Sequence, residues 1–204
     1  MVCQGIHALE SGKPPCLSPL TPACAAACRS PRQDPEFDAE LTAKFGDFVK
    51  TVRNGAECTP YASWLESVEG RVALIIALDQ FSRNIFRNTP DSFAADPAAR
   101  KLTKAFIASG EDEKQPLNLR GFIYMPLMHS EEYADHELAI ERFEHMKATV
   151  PETDAEAAEN YVNFEHMHAK IIKRFGRYPH RNEILGRETT PEEAEFLKEE
   201  NSSF

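Results

Sequence analysis

Three groups of residues in this chain have side chains suited to anion and proton chemistry. The first is DQFSRNIFRN at 79–88, where Asp79, Gln80, Arg83, Asn84 and Arg87 recur at helical spacing. The second is HSEEYAD at 129–135, which offers His129, Ser130, Glu131 and Asp135. The third runs from His168 to Arg187 and adds Arg174, Arg177, His180, Arg181 and Asn182. Arginine forks bind carboxylate or phosphate bidentately, and histidine exchanges protons near neutral pH. A site built from these groups would hold a small anionic molecule and act on it by acid–base chemistry. In that reading Asp79, Gln80, Arg83, Asn84, Arg87, Arg177, His180, Arg181, Asn182 and Arg187 bind the ligand. His129, His168 and Asp135 are the candidate catalytic groups.

The charge pattern marks the same places. The 204 residues carry a formal net charge of −10. Residues 171–187 set five cations against Glu183, a formal +4, and residues 71–88 set three arginines against Asp79, a formal +2, leaving −16 for the rest. Each island has a plain structural alternative. Asp79 and Arg83 can pair along one helical turn, worth about 0.3–0.5 kcal/mol when exposed. Arg174 can stabilise a helix C-terminus through its dipole. Arg177, His180 and Arg181 fit that alternative less well, because Gly176 frees the chain from the helix and Pro179 stiffens the turn beyond it. The two islands are expected to face one another across a helical cleft, with His129 and His168 between them.

Metal chemistry has thinner support. Glu165 and His168 have the Glu-x-x-His spacing of di-iron bundles, but such bundles need two of these motifs and the sequence has one. Cys24 and Cys28 are four apart, with no second pair to complete a zinc site. No metal and no cofactor are therefore expected. There is no GxSxG, P-loop, dinucleotide fingerprint or His-Glu-x-x-His.

The elements that must position these groups read as helices. DPEFDAELTAKFGDFVKTVRNG opens with Asp34 before Pro35, presents Phe37, Leu41, Phe45, Phe48 and Val52 on one face, and ends at Asn54–Gly55. A second helix is expected from about Tyr61 to Arg87. It is apolar nearly all round in the middle, so Leu74, Ile75, Leu78 and Phe81 should lie in the core. Asp96–Pro97 starts a third helix that Gly110 stops. A fourth should be interrupted or end before Pro126, and Ser130 should cap a fifth that runs to Pro151. A long sixth helix ends at Gly176, and Thr190–Pro191 opens a short last one. No segment alternates long enough to be a strand. The expected fold is all-α, six to seven antiparallel helices, with residues 34–204 as a single domain.

Residues 1–33 differ in composition, being rich in Pro, Ala, Ser and Cys, and are expected to be disordered. They lack the basic and apolar regions of a secretory signal. Arg29 and Arg32 suit a mitochondrial presequence, whereas Glu10 and the prolines oppose one. Four of the five cysteines fall before residue 29, unlike a disulfide framework, so free thiols and a cytoplasmic location are expected. The acidic balance opposes nucleic-acid and anionic-membrane binding. No apolar run approaches the roughly 18–20 residues that span a bilayer.

LIIALDQFSRNIFR…FAADPAA, FIYMPLMHSEEYADHE and HAKIIKRFGRYPHRNEILGRETTPEE together resemble the domain of unknown function 924 family, in order from about Asp34 to Leu197. The resemblance implies an all-α, tetratricopeptide-like arrangement and no established activity. It places Asp79, Gln80, Phe81, Arg83, Asn84 and Arg87 in the first motif, with Ser82 where members usually have proline. His129, Ser130, Glu131 and Asp135 match the second, and His168, Arg174, Phe175, Gly176, Arg177, Pro179, His180, Arg181, Asn182, Gly186 and Arg187 match the third. Members usually begin with an aromatic-rich helix where this chain has residues 1–33. The chain either dispenses with that helix or begins at a non-native N-terminus, and in both cases a groove beside residues 37–48 is left poorly covered. Three functions compete: a binder or enzyme of a small anionic metabolite, a tetratricopeptide-like module for a peptide or protein, and a purely structural network. Oligomeric state is not legible.

Overall fold

The computed structural model describes residues 34–203, so the expectations for residues 1–33 lie outside the described residues. Seven helices and no strand occur among the described residues, 72% of which are helical, so the fold is all-α. No helix there is long and apolar enough to cross a membrane. The chain divides into two compact units. Asp91–Glu111 joins the chain up to Arg87 in the first, and Asn88–Pro90 joins the chain from Asp112 onward in the second.

In the first unit, helix α1 spans Pro35–Val52, with the Asp34 carboxylate accepting from the Phe37 N–H at the N-terminus. Gly55, at φ +116°, turns the chain after it, a conformation that suits glycine. The second helix begins later than the sequence suggests. Ala62–Glu66 is a 3₁₀ turn, Ser67 is extended and caps Gly70 N–H, and α2 starts at Val68. Serine before a charged turn competes well as a cap, and Gly70 admits the Trp64 backbone, whose carbonyl would lie 2.2 Å from any Cβ. Helix α2 runs through Val68–Ile76, a π segment Ala77–Phe81 and Ser82–Ile85. Leu74, Ile75, Leu78 and Phe81 are buried, as the apolar run requires. Around them pack Phe45, Phe48, Tyr61 and Trp64, with ring centroids 4.7–5.5 Å apart. Helix α3, Asp96–Ala108, completes the unit.

The second unit is built on α4 (Leu117–Met128), α5 (Tyr133–Thr149) and α6 (Ala155–Phe175). Pro126 does not end α4. It sits in the last turn, and the helix continues to Met128. Only one intrahelical bond is forfeited there, because the missing N–H would have reached Phe122, and burial of Phe122, Leu127 and Met128 outweighs it. Arg120 near the start of α4 meets Thr149 at the end of α5, so these two helices are antiparallel. The α5–α6 pair is antiparallel too, since Lys173 lies over Tyr133, while Phe143 stacks on Tyr161 and Lys147 pairs with Glu159. Gly121 permits close approach of α4 and α6, because a Cβ there would meet the Tyr161 ring at 2.4 Å. Gly176, at φ +68°, ends α6. A loop containing the 3₁₀ turn Pro179–Arg181 leads to α7, Pro191–Phe196, which carries the expected Thr190 cap as a full capping box with Glu193.

Candidate functional site

Each unit organises its own polar residues. In the first, the stripe on α2 meets carboxylates from neighbouring helices. Arg87 offers its Nε–Nη2 edge to Asp38 of α1, at 2.7 and 3.0 Å, and Asn84 donates to the same carboxylate at 3.0 Å. Arg83 lies 3.1 and 3.3 Å from the two oxygens of Asp96, donates to the Asp79 carbonyl, and has the Asp79 carboxylate 3.3 Å away. Gln80 donates to the buried Asp79 at 2.5 Å. The Arg87 hydrogen bonds hold the Asp38 carboxyl below its ordinary pKa, against a smaller opposing effect of burial. Asp38, in turn, raises Arg87. Two guanidiniums thus meet three carboxylates, and the island that is positive in sequence is net negative when folded. The π segment shifts the register of this stripe, a feature that propensity does not announce.

In the second unit the third motif closes over the corner between α4 and α5. A helix C-terminus leaves carbonyls without intrahelical donors. Here Met128 O accepts from the Tyr178 hydroxyl at 2.5 Å, His129 O from Arg181 Nη2 at 3.0 Å, and Ser130 O lies 2.9 Å from His136 Nε2. Glu131 takes both ends of Arg187, at 2.7 and 3.0 Å, and the Tyr178 N–H at 2.8 Å. Burial pushes the Glu131 carboxyl up, and these partners more than reverse it. Ser130 does not cap α5 at its first residue. It accepts from Glu132 N–H and donates to the buried Asp135, one step ahead of the observed start at Tyr133.

Arg177 presents its Nε–Nη2 edge to the buried Glu193, at 2.7 and 2.9 Å. That bond, with help from Thr190 and Asn182, holds Glu193 at about 2. Asn182, fully buried, links Thr189, Glu193 and Arg187. Arg174 pairs with Glu192 in solvent.

Tyr178 is the hub of the remaining chemistry. His136, His168 and His180 surround its ring at 6.4, 5.9 and 5.4 Å, and the Arg181 guanidinium lies over it at 4.5 Å. His129 is 6.2 Å from His168. Burial lowers His168 to about 3, with the nearby His129 adding to the effect, and lowers His180 to about 4, helped by Arg181. His168 gives its Nδ1–H to the Phe164 carbonyl at 2.7 Å, so its acceptor lone pair is on Nε2. His136 Nδ1 and Glu165 Oε1 are hydrogen-bonded at 2.7 Å, both groups being fully buried. Burial raises the Glu165 pKa, which His136 opposes. Among the described residues no group of three or more His, Cys, Asp or Glu side chains is arranged to hold a metal ion.

Of the expected site residues, His129, His168, His180 and Arg181 come together, and Arg177, Asn182 and Arg187 form the frame beside them. Asp135 orients the Ser130 corner. Asp79, Gln80, Arg83, Asn84 and Arg87 belong to the other unit and gather there. The sequence reading passed over His136, Tyr178 and Glu193. Tyr178, between Arg177 and Pro179 in the third motif, had the strongest local signal.

The family model described as "Bacterial protein of unknown function (DUF924)" matches residues 26–201. A solved structure of a protein of unknown function, ATU0120 from Agrobacterium tumefaciens, is 34% identical. The match covers 85% of this chain and 90% of that one, with a TM-score of 0.70. No curated protein matches.

Proposed function

The chain belongs to the DUF924 family, which brings no activity with it, and on that premise we propose that its second unit binds a small anionic molecule, a carboxylate or phosphate, at His129, His168, His180 and Arg181. The observation that carries this reading is the convergence of the His168 and His180 imidazoles and the Arg181 guanidinium on Tyr178, with His129 beside His168. Arg181 supplies positive charge. His168 and His180 are neutral at physiological pH and accept hydrogen bonds from a ligand's protonated groups. His129 is then the group placed to take and return a proton, with Asp135 holding its corner through Ser130, while His168, whose pKa burial holds low, orients the ligand as a neutral acceptor. Arg177, Asn182 and Arg187 are the frame, because Glu193 and Glu131 already engage both guanidiniums. Asp79, Gln80, Arg83, Asn84 and Arg87 serve as scaffold in the first unit. The exposed free thiol of Cys58 is compatible with a reducing compartment, and the cytoplasm is the proposed location.

A tetratricopeptide-like role in binding a peptide would need an apolar concave face. Phe164 is the large hydrophobic side chain exposed among the described residues, and one ring is not a groove. The small-molecule reading is tested by titrating inorganic phosphate and citrate into wild type, Arg181→Gln and His180→Gln while following thermal unfolding. Saturable stabilisation that falls roughly tenfold in affinity in both variants supports it. No saturable shift, or shifts unchanged in both variants, overturns it.

A further inference from the structure

Arg120 lies near the start of α4, about two and a half helical turns from the histidine cluster at that helix's other end. It is 4% exposed, and its Nη1 donates to Thr149 Oγ1 at 3.1 Å. Its Nε and Nη2 are buried and have no hydrogen-bond partner among the described residues. Those two N–H groups form one edge of the guanidinium, the edge that binds a carboxylate through two parallel bonds. Two other arginines of this chain use it so: Arg87 toward Asp38 and Arg177 toward Glu193. Arg120 presents the same edge inside the protein with no carboxylate of the described residues upon it.

A second orphan lies close by. Asp112 is fully buried, its Oδ2 accepts from the Tyr124 hydroxyl at 2.7 Å, and its Oδ1 has no partner among the described residues. Burial raises the Tyr124 pKa, its hydrogen bond with Asp112 adds to the rise, and hydrogen bonding from the Arg120 guanidinium works against it, so the Tyr124 hydroxyl lies between the two charged side chains. The Nε–Nη2 edge of Arg120 and the Oδ1 of Asp112 nevertheless do not meet. Leaving a buried guanidinium edge and a buried carboxylate oxygen unsatisfied is costly on both counts. A bound molecule satisfying both must bring an oxyanion to Arg120 and a donor to Asp112. The two protein charges cancel, so a ligand of zero net charge leaves the buried site neutral.

We propose that Arg120 and Asp112 form a buried receptor for an α-amino acid zwitterion, its carboxylate on the Nε–Nη2 edge of Arg120 and its ammonium on Asp112 Oδ1. Thr149 holds Arg120, and the Tyr124 hydroxyl, set between Arg120 and Asp112, holds Asp112. The site is independent of the histidine cluster, and the pair Arg120, Asp112 was not singled out by the charge islands of the sequence.

Calorimetric titration with glycine and alanine tests it, using acetate and ethylamine as half-ligands. Glycine should bind saturably, and each half-ligand roughly tenfold or more weakly, having lost one charge-assisted contact. Arg120→Lys keeps the charge and loses the fork; Asp112→Asn loses the carboxylate. Both should abolish binding, whereas Arg174→Ala, at an exposed arginine outside both sites, should bind glycine as wild type does. Should the variants fail to fold, wild-type crystals soaked in glycine read the same contact directly, with the carboxylate on the Arg120 edge as the expected result. A water alone on that edge after soaking, no saturable binding of glycine or alanine, or glycine binding lost in Arg181→Gln but kept in Arg120→Lys would overturn the proposal.

Discussion

The stripe on α2 and the loop after α6 look alike as strings of residues, since both gather arginine, asparagine and aromatic side chains in an acidic chain. Folded, they differ. In the first unit Arg83 and Arg87 are held by Asp38, Asp79 and Asp96, three carboxylates on three helices, and Arg83, Asn84 and Arg87 pin α2 to α1 and α3. In the second, Arg177 and Arg187 are held in the same manner by Glu193 and Glu131, while Arg181 and the histidines turn to Tyr178 and to the carbonyls that end α4. An arginine-rich segment therefore declares nothing until its acidic partners are placed. What separates the two regions is the kind of acceptor their basic groups meet, carboxylates in the first and an aromatic ring and helix-end carbonyls beside carboxylates in the second.

The contrast is broken most severely by Asp38→Ala. It strands Arg87 and Asn84 together, and should cost about 2–3 kcal/mol, below the figure for a fully buried pair because both side chains keep some exposure. His180→Gln should cost less than about 1 kcal/mol. Urea unfolding of the two variants compares them, and equal losses would remove the distinction between framework and site.

Next comes Glu193→Gln. Arg177 holds Glu193 at about 2, below its ordinary 4.5, so this carboxylate stabilises the fold above pH 4.5 and loses that contribution as pH falls toward 2. The variant should be about 2 kcal/mol less stable at pH 7. Its deficit should shrink through that acid window, read from unfolding midpoints at stepped pH.

The histidines titrate in the opposite setting. His168 and His180 sit near 3 and 4 when folded, below the 6.5 of an exposed ring. As pH falls below 6.5 the unfolded chain takes up protons that the folded rings refuse, and stability declines until those lower values are reached. Each ring contributes up to about 1.4 kcal/mol per pH unit. His168→Gln should flatten the slope between pH 6 and 4, whereas Arg83→Lys, in the first unit, should leave it unchanged. The smallest effect belongs to Arg174→Ala, where the exposed pair with Glu192 is worth less than about 0.5 kcal/mol. A larger loss in thermal unfolding would mean that the loop's outer rim carries structural weight.

Much of this molecule was legible residue by residue. The helix pattern, the buried run around Leu78, the Asp34 and Thr190 caps and the stop at Gly176 come from local rules, because periodicity, side-chain caps and a left-handed glycine act within a few residues. The late start of α2 at Val68 was not legible, since it depends on Gly70 receiving the Trp64 backbone. Nor was the passage of α4 through Pro126, which the burial of its neighbours decides.

The same division runs through the candidate site. Sequence alone picked out His129, His168, His180 and Arg181 by type and clustering. It could not assign Arg87 to Asp38, 49 residues away, or Arg187 to Glu131, 56 away, and so could not say which guanidiniums were already engaged. Still less could it find His136 against Glu165, or the bare edge of Arg120. Residue type and spacing are properties of the chain, and they determined where the helices and the reactive side chains lie along it. Charge compensation and burial are properties of neighbours brought together in space, and only the tertiary structure decided them.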